Sequence, residues 1–276
     1  MAQTDFIVHS GRPDEAGNVL TITPQSAGWE YVGFQVFRLE AGQKLRQATE
    51  GRELCIVLLS GKANVTTAQA SFLNIGRRMS IFEGIPPYSV YVPARDEAEV
   101  EAVTAVEAAL CWAPAAGTLQ ARLISPEEVG VSARGYGYME RRIHNILPED
   151  QPAESLLVVE VFTPAGHWSS YPPHKHDQDN LPHESYLEET YYHRVSPANG
   201  FAMQRVYTDD RSLDEALIVR DGDAVLVPKG YHPVSAPPGY EVYYLNVMAG
   251  PVRTWKFHND PDHEWLFNPN PRRDAE

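Results

Sequence analysis

Histidine is distributed unevenly: of ten, only His9 precedes residue 144. In the second half, His174-Lys175-His176 sets two imidazoles two residues apart, and on an extended segment both share one face. Glu189 follows in a strand-like run, and His232 follows the turn Val227-Pro228-Lys229-Gly230-Tyr231. Three neutral imidazoles and a carboxylate form a facial cage suited to a divalent transition metal, with positions left open for water or substrate. The carboxylate has three candidates, Glu184, Glu188 and Glu189. Glu189 is favoured because it lies inside a strand and shares a face with Tyr191 and His193. A His-x-His pair alone is more often structural than ligating. The later strand Glu and the Pro-Lys-Gly-Tyr-His turn shift the balance toward a metal site. His167, His258 and His263 read as structural, near Trp168, Trp255 and Trp265.

Short strands must position these groups. Runs of strand length rich in Val, Ile, Tyr, Phe and Thr occupy 31–39, 54–59, 63–67, 89–92 and 102–112. The second half repeats the habit at 155–163, 186–195, 201–208, 224–228 and 240–249. Twenty-two prolines and nineteen glycines punctuate them. Helical signals are few: a short turn at 126–129 and, at 212–215, what reads as a capped turn. A weak duplication, strand–turn–strand near Glu53 and again near Glu189, predicts two similar β-barrels, residues 1–125 and 126–276. The first has no His between residues 9 and 144, and only Glu50 and Glu53 stand where ligands would be. It is expected to serve packing or subunit contacts without a metal.

The 276 residues carry 23 basic and 37 acidic side chains, a formal charge of −14. So acidic a chain repels nucleic acid and anionic membranes, and an anionic substrate needs a local cation. No apolar run approaches the ~20 residues of a bilayer span, and no GxGxxG offers a home to nicotinamide or flavin. The opening Met1-Ala2-Gln3-Thr4-Asp5 lacks the basic and apolar regions of an export signal. Cys55 and Cys111, without CxxC spacing, read as buried free thiols. A cytoplasmic enzyme is expected.

The order His-x-His, Glu on the next strand, then His after Pro-x-Gly resembles the ligand order of the cupin β-barrel. It departs in a twelve-residue spacer between His176 and Glu189, which must bulge out with Asp177, Asp179, Pro182 and His183, and in Ala236 where an Asn is usual. The runs Glu188-Glu189-Thr190-Tyr191-Tyr192-His193-Arg194-Val195, Gly200-Phe201-Ala202-Met203-Gln204-Arg205-Val206-Tyr207, Tyr243-Tyr244-Leu245-Asn246 and Trp255-Lys256-Phe257-His258-Asn259-Asp260 make the likeness specific. Over essentially its whole length the chain resembles the 5-deoxy-glucuronate isomerase family of myo-inositol catabolism, bicupins related to the 4-deoxy-5-keto-uronate isomerases. That resemblance implies an all-β bicupin of two double-stranded β-helix (jelly-roll) barrels. It implies zinc, with manganese as a substitute, held by His174, His176, Glu189 and His232, and conversion of 5-deoxy-D-glucuronate to 2-deoxy-5-keto-D-gluconate. It also implies a homo-oligomer assembled through the first half.

Such a reaction needs a proton-transfer group, for which Tyr191 and His193 are the candidates, with His183 or a metal-bound hydroxide as alternatives. Arg205 is the first choice to hold the substrate carboxylate, with Gln204 and Lys175 as further binding residues and Arg142, Arg194 and Lys229 nearby. Alternation allows only one of Gln204 and Arg205 to look inward. Two rival functions use the same residues: an iron-dependent cupin dioxygenase and a non-catalytic sugar-acid-binding bicupin.

Overall fold

The unbroken apolar runs are strands buried on both faces. In the strand Arg52–Ser60, Leu54, Ile56 and Leu58 belong to one apolar core while Cys55, Val57 and Leu59 belong to another. In Glu241–Ala249, Val242 and Tyr244 enter a third core, and Tyr243, Leu245 and Val247 join the one shared with Cys55. A computed structural model describing residues 6–268 gives this arrangement its frame.

Each half is a barrel of one large and one small antiparallel sheet. In the first, the large sheet orders Arg122–Ile124, Ser89–Val92, Arg52–Ser60, Val106–Pro114, Gly33–Leu39 and Asn18–Ile22. A four-stranded sheet of Lys44–Ala48, Glu97–Ala102, Ala63–Thr67 and Ser71–Ile75 closes it. In the second, the large sheet orders Ile7–Val8, Ala224–Val227, Glu188–Ser196, Glu241–Ala249, Leu157–Thr163, Arg141–Leu147 and Gly130–Arg134. Its smaller partner contains Trp168–Ser169, Val234–Ser235, Phe201–Tyr207 and Asp214–Arg220. The sheets change over between Ile124 and Gly130, yet Ile7–Val8 pairs into the second half's sheet.

The two large sheets pack back to back, as the Phe34 and Tyr192 rings, 5.6 Å apart, illustrate. Two buried carboxylates clasp the halves reciprocally. Glu53 accepts from the backbone N–H groups of Glu154, Ser155 and Leu156. Glu188 accepts from those of Glu30, Tyr31 and Val32. Arg78 of the first half adds a two-pronged pair with Glu160, at 2.8 and 2.9 Å, and His144 and Tyr243 also bind that carboxylate. Glu53 thus serves the contact between barrels, and Leu54, Ile56, Leu58, Val65 and Val100 fill the first barrel's interior.

Two local expectations meet the structure differently. Cys55 and Cys111 are buried free thiols facing each other across neighbouring strands, and burial pushes Cys55 up to about 12. Residues 212–215 are not a capped turn: Asp214–Arg220 is a strand, paired along Phe201–Tyr207. The turn lies just before it, where Asp210 Oδ1 accepts from Ser212 N and Ser212 Oγ. No described helix is long and apolar enough to cross a membrane.

Candidate metal centre

The strand Glu188–Ser196 runs between Ala224–Val227 and Glu241–Ala249, so its alternate residues Glu189, Tyr191 and His193 look into the second barrel. Glu189 Oε2 lies 2.9 Å from His176 Nε2 and 3.2 Å from His232 Nε2. Its other oxygen accepts from Asn246 Nδ2 at 2.7 Å. The backbone fixes both rings: His176 Nδ1 is 3.1 Å from Leu187 O, and His232 Nδ1 is 2.8 Å from Gly230 O. Gly230 itself has φ +88°, and a Cβ there would fall 2.3 Å from the Tyr207 carbonyl oxygen.

A carbonyl oxygen only accepts, so each Nδ1 carries a proton and each Nε2 is left to face Glu189. Burial opposes charge on Glu189, yet the hydrogen bond to His176 and the close approach of His232 hold its carboxyl down at about 2. Lone pairs facing a carboxylate repel one another unless a positive charge lies among them. His176 is drawn above its usual value for that reason: burial works against the proton, and the Glu189 bond and charge outweigh it. His232 Nε2 is buried and has no hydrogen bond of acceptable geometry, despite its 3.2 Å approach to Glu189. The donor atoms of His176, Glu189 and His232 all lie within 4.8 Å of one another. Two imidazole nitrogens and a carboxylate held in ligand form fit a divalent transition cation better than a proton alone.

His174 stands at the edge of this group, its ring centroid 5.1 Å from that of His232 and 4.8 Å from that of Phe257. Burial, then the neighbouring His232 and His176, push it well below the usual histidine range, so it is neutral. His174, Glu189, Tyr191, Tyr244 and Asn246 line a cavity of about 370 Å³, in the range of small-ligand sites. On its wall Ser170 Oγ lies 3.1 Å from Tyr191 Oη and 3.3 Å from Tyr244 Oη. Burial keeps the Tyr191 phenol well above its ordinary value, so it remains a proton donor.

The three carboxylate candidates separate cleanly. Glu188 clasps the other barrel. Glu184 accepts from the backbone of Asp177 and Gln178 and faces Lys175. The long spacer is a hairpin of Asp177–Asn180 and Glu184–Tyr186 with His183 exposed in its turn, away from the cavity wall.

Several expected site residues lie elsewhere. Arg205 is turned outward, forms a two-pronged pair with Asp214 at 2.7 Å and sits 4.1 Å over the Tyr207 ring. Gln204 is the inward partner, but it does not reach the cavity: it bonds His193 at 2.9 Å and the His232 carbonyl at 3.4 Å. Lys175 points away from the histidines flanking it and is neutralised by Asp177 at 2.8 Å and Glu184 at 3.4 Å. His193 is fully buried beyond Tyr191 because two strand residues advance about 6.6 Å along the barrel. It cannot touch a ligand in the cavity. Arg194 pairs with Glu107 and Asp221, Arg142 stacks on Phe162, and Lys229 is exposed.

Asn246, Tyr244 and Ser170 went unselected by sequence reasoning. A signal existed for two of them: Tyr244 and Asn246 alternate on one face of an apolar strand and oppose His193 and Tyr191 in register.

A family model described as the KduI/IolB family matches residues 6–266. The chain belongs to the KduI/IolB family. Among KduI/IolB relatives, the 5-deoxy-glucuronate isomerase of Geobacillus kaustophilus is 69% identical over 262 residues, 95% of each chain. That of Bacillus subtilis strain 168 is 52% identical over 247 residues, 89% of this chain and 91% of the relative. A crystal structure of an IolB-like protein from Salmonella typhimurium LT2 superposes with TM-score 0.93 at 54% identity, covering 96% of this chain and 100% of that one. An oxalate decarboxylase mutant from Bacillus subtilis shares the fold alone, with TM-score 0.63 at 12% identity over 94% of this chain and 80% of that one. The KduI/IolB chain described here is an isomerase with a bicupin fold.

Proposed function

We propose that this isomerase is metal-dependent and converts 5-deoxy-D-glucuronate to 2-deoxy-5-keto-D-gluconate, a cytoplasmic step of inositol breakdown. The activity for which the relatives are named, 5-deoxy-glucuronate isomerase, supports the substrate. The observation that carries the metal is the convergence of two backbone-oriented His Nε2 atoms on the Glu189 carboxylate. His176, Glu189 and His232 would hold the cation and His174 would complete the set, with zinc the preferred ion and manganese able to replace it. Bound there, a divalent cation supplies Lewis acidity for a carbonyl and its neighbouring hydroxyl.

The chain's own groups do the rest. The reaction takes a proton from the carbinol carbon, delivers one to the adjacent aldehyde carbon and moves a hydroxyl proton from one oxygen to the other. Tyr191 Oη, kept protonated by burial, is placed to donate to a substrate oxygen, and Ser170 and Tyr244 orient it. Asn246 Nδ2 fixes the Glu189 carboxylate, and the apolar wall of Ile143, Val159 and Val161 limits water around the reacting carbons.

Metal analysis of purified protein coupled to NMR of 5-deoxy-D-glucuronate in deuterated water tests this reading. Stoichiometric metal and anaerobic turnover are expected, with His174→Ala and His232→Ala each lowering metal content and abolishing isomerisation in folded protein. Full activity in metal-free protein would refute it.

A further inference from the structure

A sugar acid brings a negative charge into the cavity, and the basic residues chosen from sequence are spoken for: Lys175 by Asp177 and Glu184, Arg205 by Asp214, Arg194 by Glu107 and Asp221. Arg141 is different. It opens the strand Arg141–Leu147 and lines the same cavity as His174, Glu189 and Tyr191. Among the described residues no carboxylate lies within ion-pair distance of it. Its one hydrogen-bonded nitrogen, Nη1, donates to the Met139 and Tyr171 carbonyl oxygens at 3.1 Å each. Nε and Nη2 have no partner among the described residues.

The surroundings suit an anion. Burial lowers the Arg141 pKa from the ordinary guanidinium value, although a guanidinium stays charged in protein. Its charge reaches the metal-side groups, since it adds to the lowering of His174 that burial begins and offsets part of the rise that burial gives Tyr244. Glu189 is the single carboxylate on the cavity wall among the described residues, and it is held by His176, His232 and Asn246. A partly desolvated cation tied down by two carbonyl groups and lacking a counter-ion is a costly arrangement that an incoming carboxylate relieves. Arg134, the other cation on the wall, is exposed and lies 5.9 Å from the Trp255 ring.

We propose that Arg141 receives the carboxylate of the substrate and makes the enzyme choose sugar acids over neutral aldoses. This rests on the sugar-acid reading above. The carboxylate and the reacting carbons sit at opposite ends of such a substrate, so the contact persists from ground state to transition state and belongs in KM rather than kcat.

Steady-state kinetics of zinc-loaded protein with 5-deoxy-D-glucuronate and the neutral 5-deoxy-D-glucose test the proposal. Arg141→Gln should raise KM for the acid roughly 10–100-fold, the scale of a charge-assisted hydrogen bond, leave kcat within about threefold and leave the neutral sugar unaffected. Arg141→Lys, which keeps the charge but not the fork, should fall between, and Arg134→Gln should change little. Millimolar guanidinium should restore acid binding to Arg141→Ala, a rescue that a purely structural role would not give. Unchanged KM in Arg141→Gln, equal losses on both sugars, or a loss that follows Arg134 instead would overturn it. Should the wild type isomerise neither sugar, the isomerase reading fails by itself. Calorimetric titration with D-glucuronate then still decides: binding lost in Arg141→Gln supports the assignment, and equal or absent binding in both proteins rejects it.

Discussion

Glu188 and Glu189 are chain neighbours with opposite duties, and Glu188→Gln separates them. Glu188 is 1% exposed and accepts three backbone N–H bonds of 2.8 Å from residues 30–32. Glutamine retains one acceptor oxygen, enough for Tyr31 and Val32, but it turns an NH2 toward Glu30 N. One donor is then left unsatisfied at about 1–3 kcal/mol, and two charge-assisted bonds become neutral ones, each weaker by about 1 kcal/mol. The expected loss is about 3–5 kcal/mol in urea unfolding followed by tryptophan fluorescence. Metal content in the absence of urea should match the wild type. Glu189→Gln should instead weaken metal binding, by roughly a hundredfold, with an oxygen and its charge lost from the cage. Destabilisation by Glu188→Gln of less than about 1 kcal/mol, or loss of its metal, would show the clasp assignment to be wrong.

Other outcomes can be measured alongside. Asn246→Ala frees the Glu189 carboxylate to rotate and should weaken zinc affinity about 10–100-fold in a chelator competition while the fold persists. Burial holds His193 at about 4, whereas in the unfolded chain it takes up its proton near 6.5. Stability should therefore fall as pH drops from about 6.5 to 4, by up to about 3 kcal/mol from this residue. His193→Gln should flatten that slope in urea titrations, His174 keeping part of it; identical slopes would count against the assignment. Arg205→Ala should leave kcat and KM unchanged and cost at most about 1 kcal/mol, as a half-exposed pair does. A raised KM for the acid would return Arg205 to the site.

Legibility in the sequence followed chemistry that is local. The grouping of His176, Glu189 and His232 was readable because His-x-His and strand alternation fix faces without knowledge of the rest of the chain, and the strands were readable from their apolar runs. Choosing among Glu184, Glu188 and Glu189 required seeing what each carboxylate meets. For Glu188 that is a loop more than 150 residues away. Alternation said that Gln204 and Arg205 face opposite ways and nothing about which way is in. Flanking Phe201 and Met203 point outward with Arg205, so the apolar residues of this strand mislead. Lys175 looked free because nothing in the spacing turns Asp177 back onto it, and its second partner Glu184 arrives from the far arm of a hairpin.

The paired clasps at Glu53 and Glu188 grip amide hydrogens, which every residue but proline possesses. At Tyr31 and Ser155 the grip is therefore indifferent to side-chain identity and intolerant of one ring closure. Of the nineteen replacements possible at either position, eighteen keep the amide hydrogen that the clasp holds.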